Sequence, residues 1–146
     1  MRFWDTSAIV PLIVTQPASE AAGRLLREDG ALAVWWGTWV ESAVTLSRLG
    51  REGELDGEGG EETRYALDLL AEDWREVEPT DEMRLLAALL SQRHPLKAAD
   101  AFQLAAAFVW RETDANGDDF VRLDDQLRRA ASDEGFDVLP EVEAAA

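Results

Sequence analysis

The sequence predicts an α/β fold of three layers (α/β/α), with helices covering both faces of a central, mostly parallel sheet of four or five strands. Three observations carry this. Short apolar or β-branched runs alternate with longer runs of helical periodicity along the whole chain. Strands separated by helices join in parallel through crossovers, which puts helices on both faces of the sheet. The chain has 146 residues, 47% of them hydrophobic, enough for one domain with a real core.

The elements follow in order. Residues 1–5 read as a short strand ending on Asp5, and Thr6-Ser7 can cap the helix that starts near Ala8. A helix over 18–28 ends at Asp29-Gly30, and a second strand covers 31–35. A helix over 37–49 stops at Gly50. The Gly- and acid-rich stretch 51–60 (REGELDGEGG) reads as a loop, too short to divide the chain into two domains. A helix over 61–74 leads to a weak strand at 75–78. Thr80 caps the next helix, which runs to Arg93 and is broken by His94-Pro95. A helix over 97–112, a strand over 119–123, a helix over 125–134 ending at Gly135 and a last strand over 136–139 complete the pattern. Residues 1–140 form a single domain in this reading, and 141–146 a flexible tail.

Composition excludes several chemistries. The chain has no cysteine, so disulfides, zinc–thiolate sites and thiol catalysis are out, and a reducing cytoplasmic setting is compatible. The apolar run at 8–14 is not preceded by a basic region, because Asp5 stands there, and no small-residue cleavage pattern follows. The run at 104–110 is too short to span a bilayer. The expectation is a soluble, mature, cytoplasmic chain without membrane contact. Thirty acidic against 14 basic residues give a net charge of −16, which repels phosphate backbones and weakens non-specific nucleic-acid binding.

Four acids stand where chemistry could be built. Asp5 falls at the carboxyl end of the first strand, the edge at which open parallel sheets bind ligands; a helix cap or a solvated strand end accounts for it as well. Asp100 lies in AADAFQLAAAFVW, a helix apolar nearly all round in which only Asp100 and Gln103 are polar. A carboxylate there needs a cation, a metal or several donors, and a Lys97–Asp100 pair at a helix N-terminus is an equal explanation. Glu41 sits beside a stripe of Val40, Ala43 and Val44, and either points into a cleft or pairs with Arg48. Asp124 closes the strand Phe120-Val121-Arg122-Leu123 at the same sheet edge, with Asp125 equally able to serve as the helix cap; Asp118, Asp119 and Asp125 are further acids within reach. Jointly, two acids end strands and two lie on helices able to cover the same edge. Carboxylate oxygens suit Mg2+ or Mn2+ rather than soft metals.

Other features carry less. Asp114-Ala115-Asn116-Gly117-Asp118 opens like a calcium loop, but Asp119 stands where that loop needs Gly and Asp125 where it needs Glu. His94, the single histidine, precedes a proline at a helix break and reads as structural. No Gly-rich phosphate loop is present. Trp35, Trp36 and Trp39 can stack on bases, pack in the core or line a groove for a partner helix.

These segments together resemble a known family. MRFWDTSAIVPLIV is similar to the opening of a PIN-domain protein, WVESAVTLSRL to the helix that carries its second acid, LKAADAFQLAAA to the helix of its third, and FVRLDDQLRRAASDEGFDVL to its closing segment. The resemblance covers about residues 1–140 and assigns Asp5, Glu41, Asp100 and Asp124 to the family's four acids. Small proteins of this kind are most similar to VapC-type toxins of toxin–antitoxin pairs. This implies an endoribonuclease dependent on Mg2+ (or Mn2+), an RNA substrate, a VapB-type antitoxin as partner and a homodimer. Arg122 departs from the pattern, standing where the family commonly has Ser or Thr. A second reading is a PIN-like module that has lost catalysis and acts through protein binding. A phosphatase using an aspartyl-phosphate also ends its first strand on Asp, but takes another Asp two positions on, where this chain has Ser7.

Overall fold

Successive residues of each strand face two different cores, which is why helices pack on both sides of the sheet. Phe3, Ala33, Trp35, Val77 and Phe120 point to one core, while Trp4, Leu32, Val34 and Val121 point to the other. The computed structural model describes residues 1–55, 57–114, 118–123 and 125–141, with the backbone alone at 57 and 58. Its elements are β1 (Arg2–Trp4), α1 (Thr6–Ile13), α2 (Ser19–Asp29), β2 (Leu32–Trp35), α3 (Thr38–Arg51), α4 (Gly57–Asp73), β3 (Arg75–Val77), α5 (Asp81–Arg93), α6 (Ala98–Thr113), β4 (Asp119–Val121), α7 (Asp125–Asp133) and β5 (Asp137–Leu139). The five strands form one sheet in the order β3-β2-β1-β4-β5, every neighbouring pair parallel.

One core takes residues from α5, α6 and α7, among them Met83, Leu90, Leu104 and Leu127. The other takes Ile9 from α1, Leu25 from α2, Leu46 from α3 and Leu67 from α4. The predicted three-layer α/β fold is therefore the observed one. α6 buries Ala101, Leu104, Ala105, Ala106 and Ala107, whose small side chains allow close approach to the sheet. Phe3 stacks on Phe120 with ring centroids 5.6 Å apart, locking β1 to β4. Among the described residues, no helix is long and apolar enough to cross a membrane.

The local differences from the sequence reading have physical causes. Asp5, rather than Thr6-Ser7, caps α1: its backbone is extended and its carboxylate accepts from the Ser7 amide. α3 continues to Arg51, after which Gly53 at φ +79° reverses the chain, and α4 already begins at Gly57 within the stretch read as a loop. His94 is structural as expected, its Nε2 lying 2.9 Å from Glu134 Oε1 and tying the end of α5 to the end of α7. Residues 115–117 of the calcium-like stretch and 142–146 of the tail lie outside the described residues.

The topology creates a switch point. From β1, in the middle of the sheet, the chain passes to α1 on one face, whereas from β4 beside it the chain passes to α7 on the other. Such a switch point, at the carboxyl ends of the strands, is where open α/β sheets bind ligands.

Candidate active site at the carboxyl edge of the sheet

Asp5 is the first residue after β1 and is fully buried. Its amide donates to Val121 O at 2.9 Å, holding it against the end of β4. Its Oδ2 accepts from the Ser7 amide at 2.7 Å and from Arg122 Nη1. Its Oδ1 is buried and accepts no hydrogen bond. Asp5 is thus a helix cap, and half of its carboxylate remains for another partner. The hydroxyl of Ser7 accepts from the Leu123 amide at 3.1 Å, fastening the start of α1 to the exit of β4.

Asp100, in the first turn of α6, approaches the same point from the opposite layer. Its Oδ1 accepts from Arg122 Nη2 at 3.3 Å. Arg122 follows β4 directly, is 5% exposed, and donates its amide to Leu139 O at 2.9 Å. One guanidinium therefore bridges Asp5 and Asp100.

Glu41 reaches the edge from α3, where Arg48 pairs instead with Glu52. The α3 stripe differs from expectation: Val40 and Val44 are exposed, and Thr38, Ser42, Leu46 and Leu49 turn inward. Polar Thr38 is satisfied there because Gln103 Nε2 donates to its Oγ1 at 3.1 Å. A Cβ at Gly37 would stand 2.5 Å from Trp35 Nε1, so glycine suits the start of α3. Glu41 Oε2 accepts from Thr6 Oγ1 at 3.0 Å, and Gln103 Nε2 lies 3.4 Å from both of its oxygens.

Gln103 is the residue that sequence reasoning noticed without assigning a task. It is fully buried, one helical turn beyond Asp100 on the same face of α6, and also donates to Thr6 Oγ1 at 2.9 Å. A single amide in an otherwise apolar helix, three residues after an acid, was the available signal. The bridging position of Arg122 had no such signal, since it depends on the pairing of β1 with β4.

The structure thus brings Asp5, Glu41 and Asp100 to one edge, and Asp124 lies outside the described residues. Asp119 is at the amino end of β4 and pairs with Arg2 at 3.1 Å, Asp118 directly precedes it, and Asp125 is exposed at the start of α7. Trp35 is a core residue stacked on Phe102 at 5.4 Å, while Trp39 packs under Arg64 and donates to Asp68. A cleft of about 970 Å3 along the β5 edge, lined by Arg2, Asp119, Arg128 and Asp137 among others, does not include the three acids.

Burial pushes the Glu41 carboxyl up from its ordinary value; the Thr6 and Gln103 hydrogen bonds oppose this, and the charges of Asp5 and Asp100 add to it. The folded state then holds the Glu41 proton more tightly than the unfolded chain. This group withdraws stability as pH rises from 4.5 through the raised folded value. In EDTA, Glu41→Gln is expected to gain stability relative to the parent between about pH 4 and about pH 7. Denaturant unfolding at both values checks this, and an unchanged difference contradicts it.

No cluster of three or more metal-ligating side chains stands ready among the described residues. The donor chemistry nevertheless fits a hard divalent cation. All three acids offer oxygen, Asp5 Oδ1 is buried without a hydrogen bond, and a positive group already lies between Asp5 and Asp100.

The PIN domain family matches residues 2–133, and the chain belongs to that family. Three solved structures share the fold. One, titled FitAcB from Neisseria gonorrhoeae, is 18% identical with a TM-score of 0.68, covering 96% of this chain and 97% of the other. VapC20 from Mycobacterium tuberculosis, described as a sarcin–ricin-loop-cleaving toxin, is 19% identical with a TM-score of 0.67, covering 93% and 96%. A toxin–antitoxin complex from Klebsiella pneumoniae is 19% identical with a TM-score of 0.60, covering 85% and 87%. A search of curated protein sequences gives no match.

Proposed function

We propose that this chain is a metal-dependent endoribonuclease, the toxin of a toxin–antitoxin pair, with Asp5, Glu41, Asp100 and Asp124 as its acids. The observation that carries the reading is the convergence of Asp5, Glu41 and Asp100, from three elements, on one sheet edge of a PIN-family fold. These acids would hold Mg2+ or Mn2+. The bound cation would act as a Lewis acid toward the phosphate and lower the pKa of a bound water.

The chain's own residues prepare this site. Its cap bond and the β4 contact fix Asp5 at the carboxyl edge of the sheet. Gln103 donates to Thr6, Thr6 donates to Glu41, and the Glu41 carboxylate is oriented before substrate arrives. Arg122 offsets the mutual repulsion of Asp5 and Asp100. An RNA substrate, a VapB-type antitoxin and a homodimeric assembly belong to the same proposal. The family supports the substrate and partner, as do neighbours described as a sarcin–ricin-loop-cleaving toxin and a toxin–antitoxin complex.

The test is cleavage of structured RNAs, transfer and ribosomal, by the purified chain with Mg2+ or Mn2+. Cleavage that EDTA abolishes is expected; intact RNA with either metal contradicts the reading. A second reading, a binding module without catalysis, draws on the Arg122 guanidinium seated between Asp5 and Asp100. Absence of metal binding at millimolar Mn2+ would favour it.

A further inference from the structure

Arg122 is an uncommon group to find between two acids meant for a metal. It is 5% exposed, its side chain spans from Asp5 Oδ2 to Asp100 Oδ1, and its main chain is fixed on both sides. The amide donates to Leu139 O, and the carbonyl accepts from Arg128 Nη1, whose Nη2 reaches Pro140 O at 2.6 Å. The guanidinium is therefore held by two carboxylates at one end and by an anchored backbone at the other. Its planar fork lets one residue serve both acids at once, which an ammonium does less well.

Two buried or half-buried carboxylates at one edge repel each other, and something positive must accompany them in the folded state. In this chain that positive group is covalently part of the protein. A divalent cation bound between Asp5 and Asp100 would draw on the same two carboxylates that Arg122 now holds, and would meet a like charge in a poorly solvated place.

We propose that Arg122 is a resident counter-cation that competes with the divalent metal for Asp5 and Asp100. It keeps the metal-free fold intact and sets the metal concentration at which the site loads. The proposal rests on the metal-dependent reading of the site. Arg122 acts here as a positioning residue: it holds the two acids together without metal and is displaced from them when metal binds. Asp5 Oδ1, buried and without a hydrogen bond, is the oxygen that remains open to an incoming cation while Oδ2 is still held.

The experiment is calorimetric titration of the full chain with Mn2+, for the parent, Arg122→Ser and Arg122→Lys, with thermal unfolding of each in EDTA and in saturating Mn2+. Removal of a unit charge at contact distance is expected to tighten Mn2+ binding by at least about tenfold in Arg122→Ser. Arg122→Lys should fall between the two. In EDTA the Ser variant melts below the parent, and Mn2+ raises its melting temperature by more than it raises the parent's. Adding Asp5→Asn to Arg122→Ser should abolish the gain, which separates this site from weak binding elsewhere on an acidic surface. If Arg122→Ser is unfolded in EDTA, recovery of the fold by Mn2+ supports the proposal. If it stays unfolded in Mn2+, Arg122→Lys decides, because binding no tighter than the parent's overturns the proposal. Equal or weaker Mn2+ binding by a folded Ser variant overturns the competition and leaves the nuclease reading standing. No binding by the parent or either variant overturns both.

Discussion

If the proposed function holds, Asp100→Asn is expected to lower RNA cleavage by at least about a hundredfold and to leave the fold in place. The Asp100 side chain is 22% exposed, so loss of its charge opens no dry cavity. Arg122 keeps its contact with Asp5, and the amide of Asn can still accept from Nη2. What disappears is one negative oxygen that, in the proposed reading, would help hold the divalent cation. Initial cleavage rates at saturating Mg2+, taken together with a thermal melt, check this. A parent-like rate removes Asp100 from the machinery, and a collapsed melt would mean its task is structural.

Asp5→Asn is expected to have the larger effect on stability, costing about 3 kcal/mol, and to lose the proposed activity as well. Asn remains a good helix cap, so the bond from the Ser7 amide survives and only the charge is lost. That charge faces Arg122 in a place where both side chains are nearly inaccessible, and breaking such a pair leaves an uncompensated cation. The cost falls at the lower end of the usual range because Asp100 still reaches the guanidinium. Against a typical total stability of about 5–15 kcal/mol, the loss is visible as a shifted denaturation midpoint. An unshifted midpoint would mean that the Arg122–Asp5 pair contributes nothing to the fold.

The sequence makes the layered fold legible because most strands contain a short apolar run, β3 with its Arg75 and Glu76 being the weak one, and helical periodicity separates them. It also marks Asp5 and Asp100, one by its place at a strand end and one by being an acid in an apolar helix. What could not be read is any contact set by register across the sheet. Arg122 meets Asp5 only because β4 pairs in parallel beside β1, with Trp4 opposite Val121. The inward face of α3 was misread for a related reason. Val40 and Val44 look like a core stripe, but the buried positions are those that place Thr38 under Gln103, a partner 65 residues away. The sequence leaves the cap of α1 open because Asp5, Thr6 and Ser7 can all cap, and tertiary partners decide for Asp5: Thr6 is claimed by Glu41 and Gln103, Ser7 by Leu123.

The central claim is that the carboxyl edge between β1 and β4 is a divalent-cation site. Anomalous diffraction from crystals of the full chain grown with Mn2+ tests it most directly. A Mn2+ peak is expected in direct contact with carboxylate oxygens of Asp5 and Asp100, with the Arg122 guanidinium drawn away from them. A crystal in which Arg122 still bridges the two acids, with no peak at this edge, would contradict it.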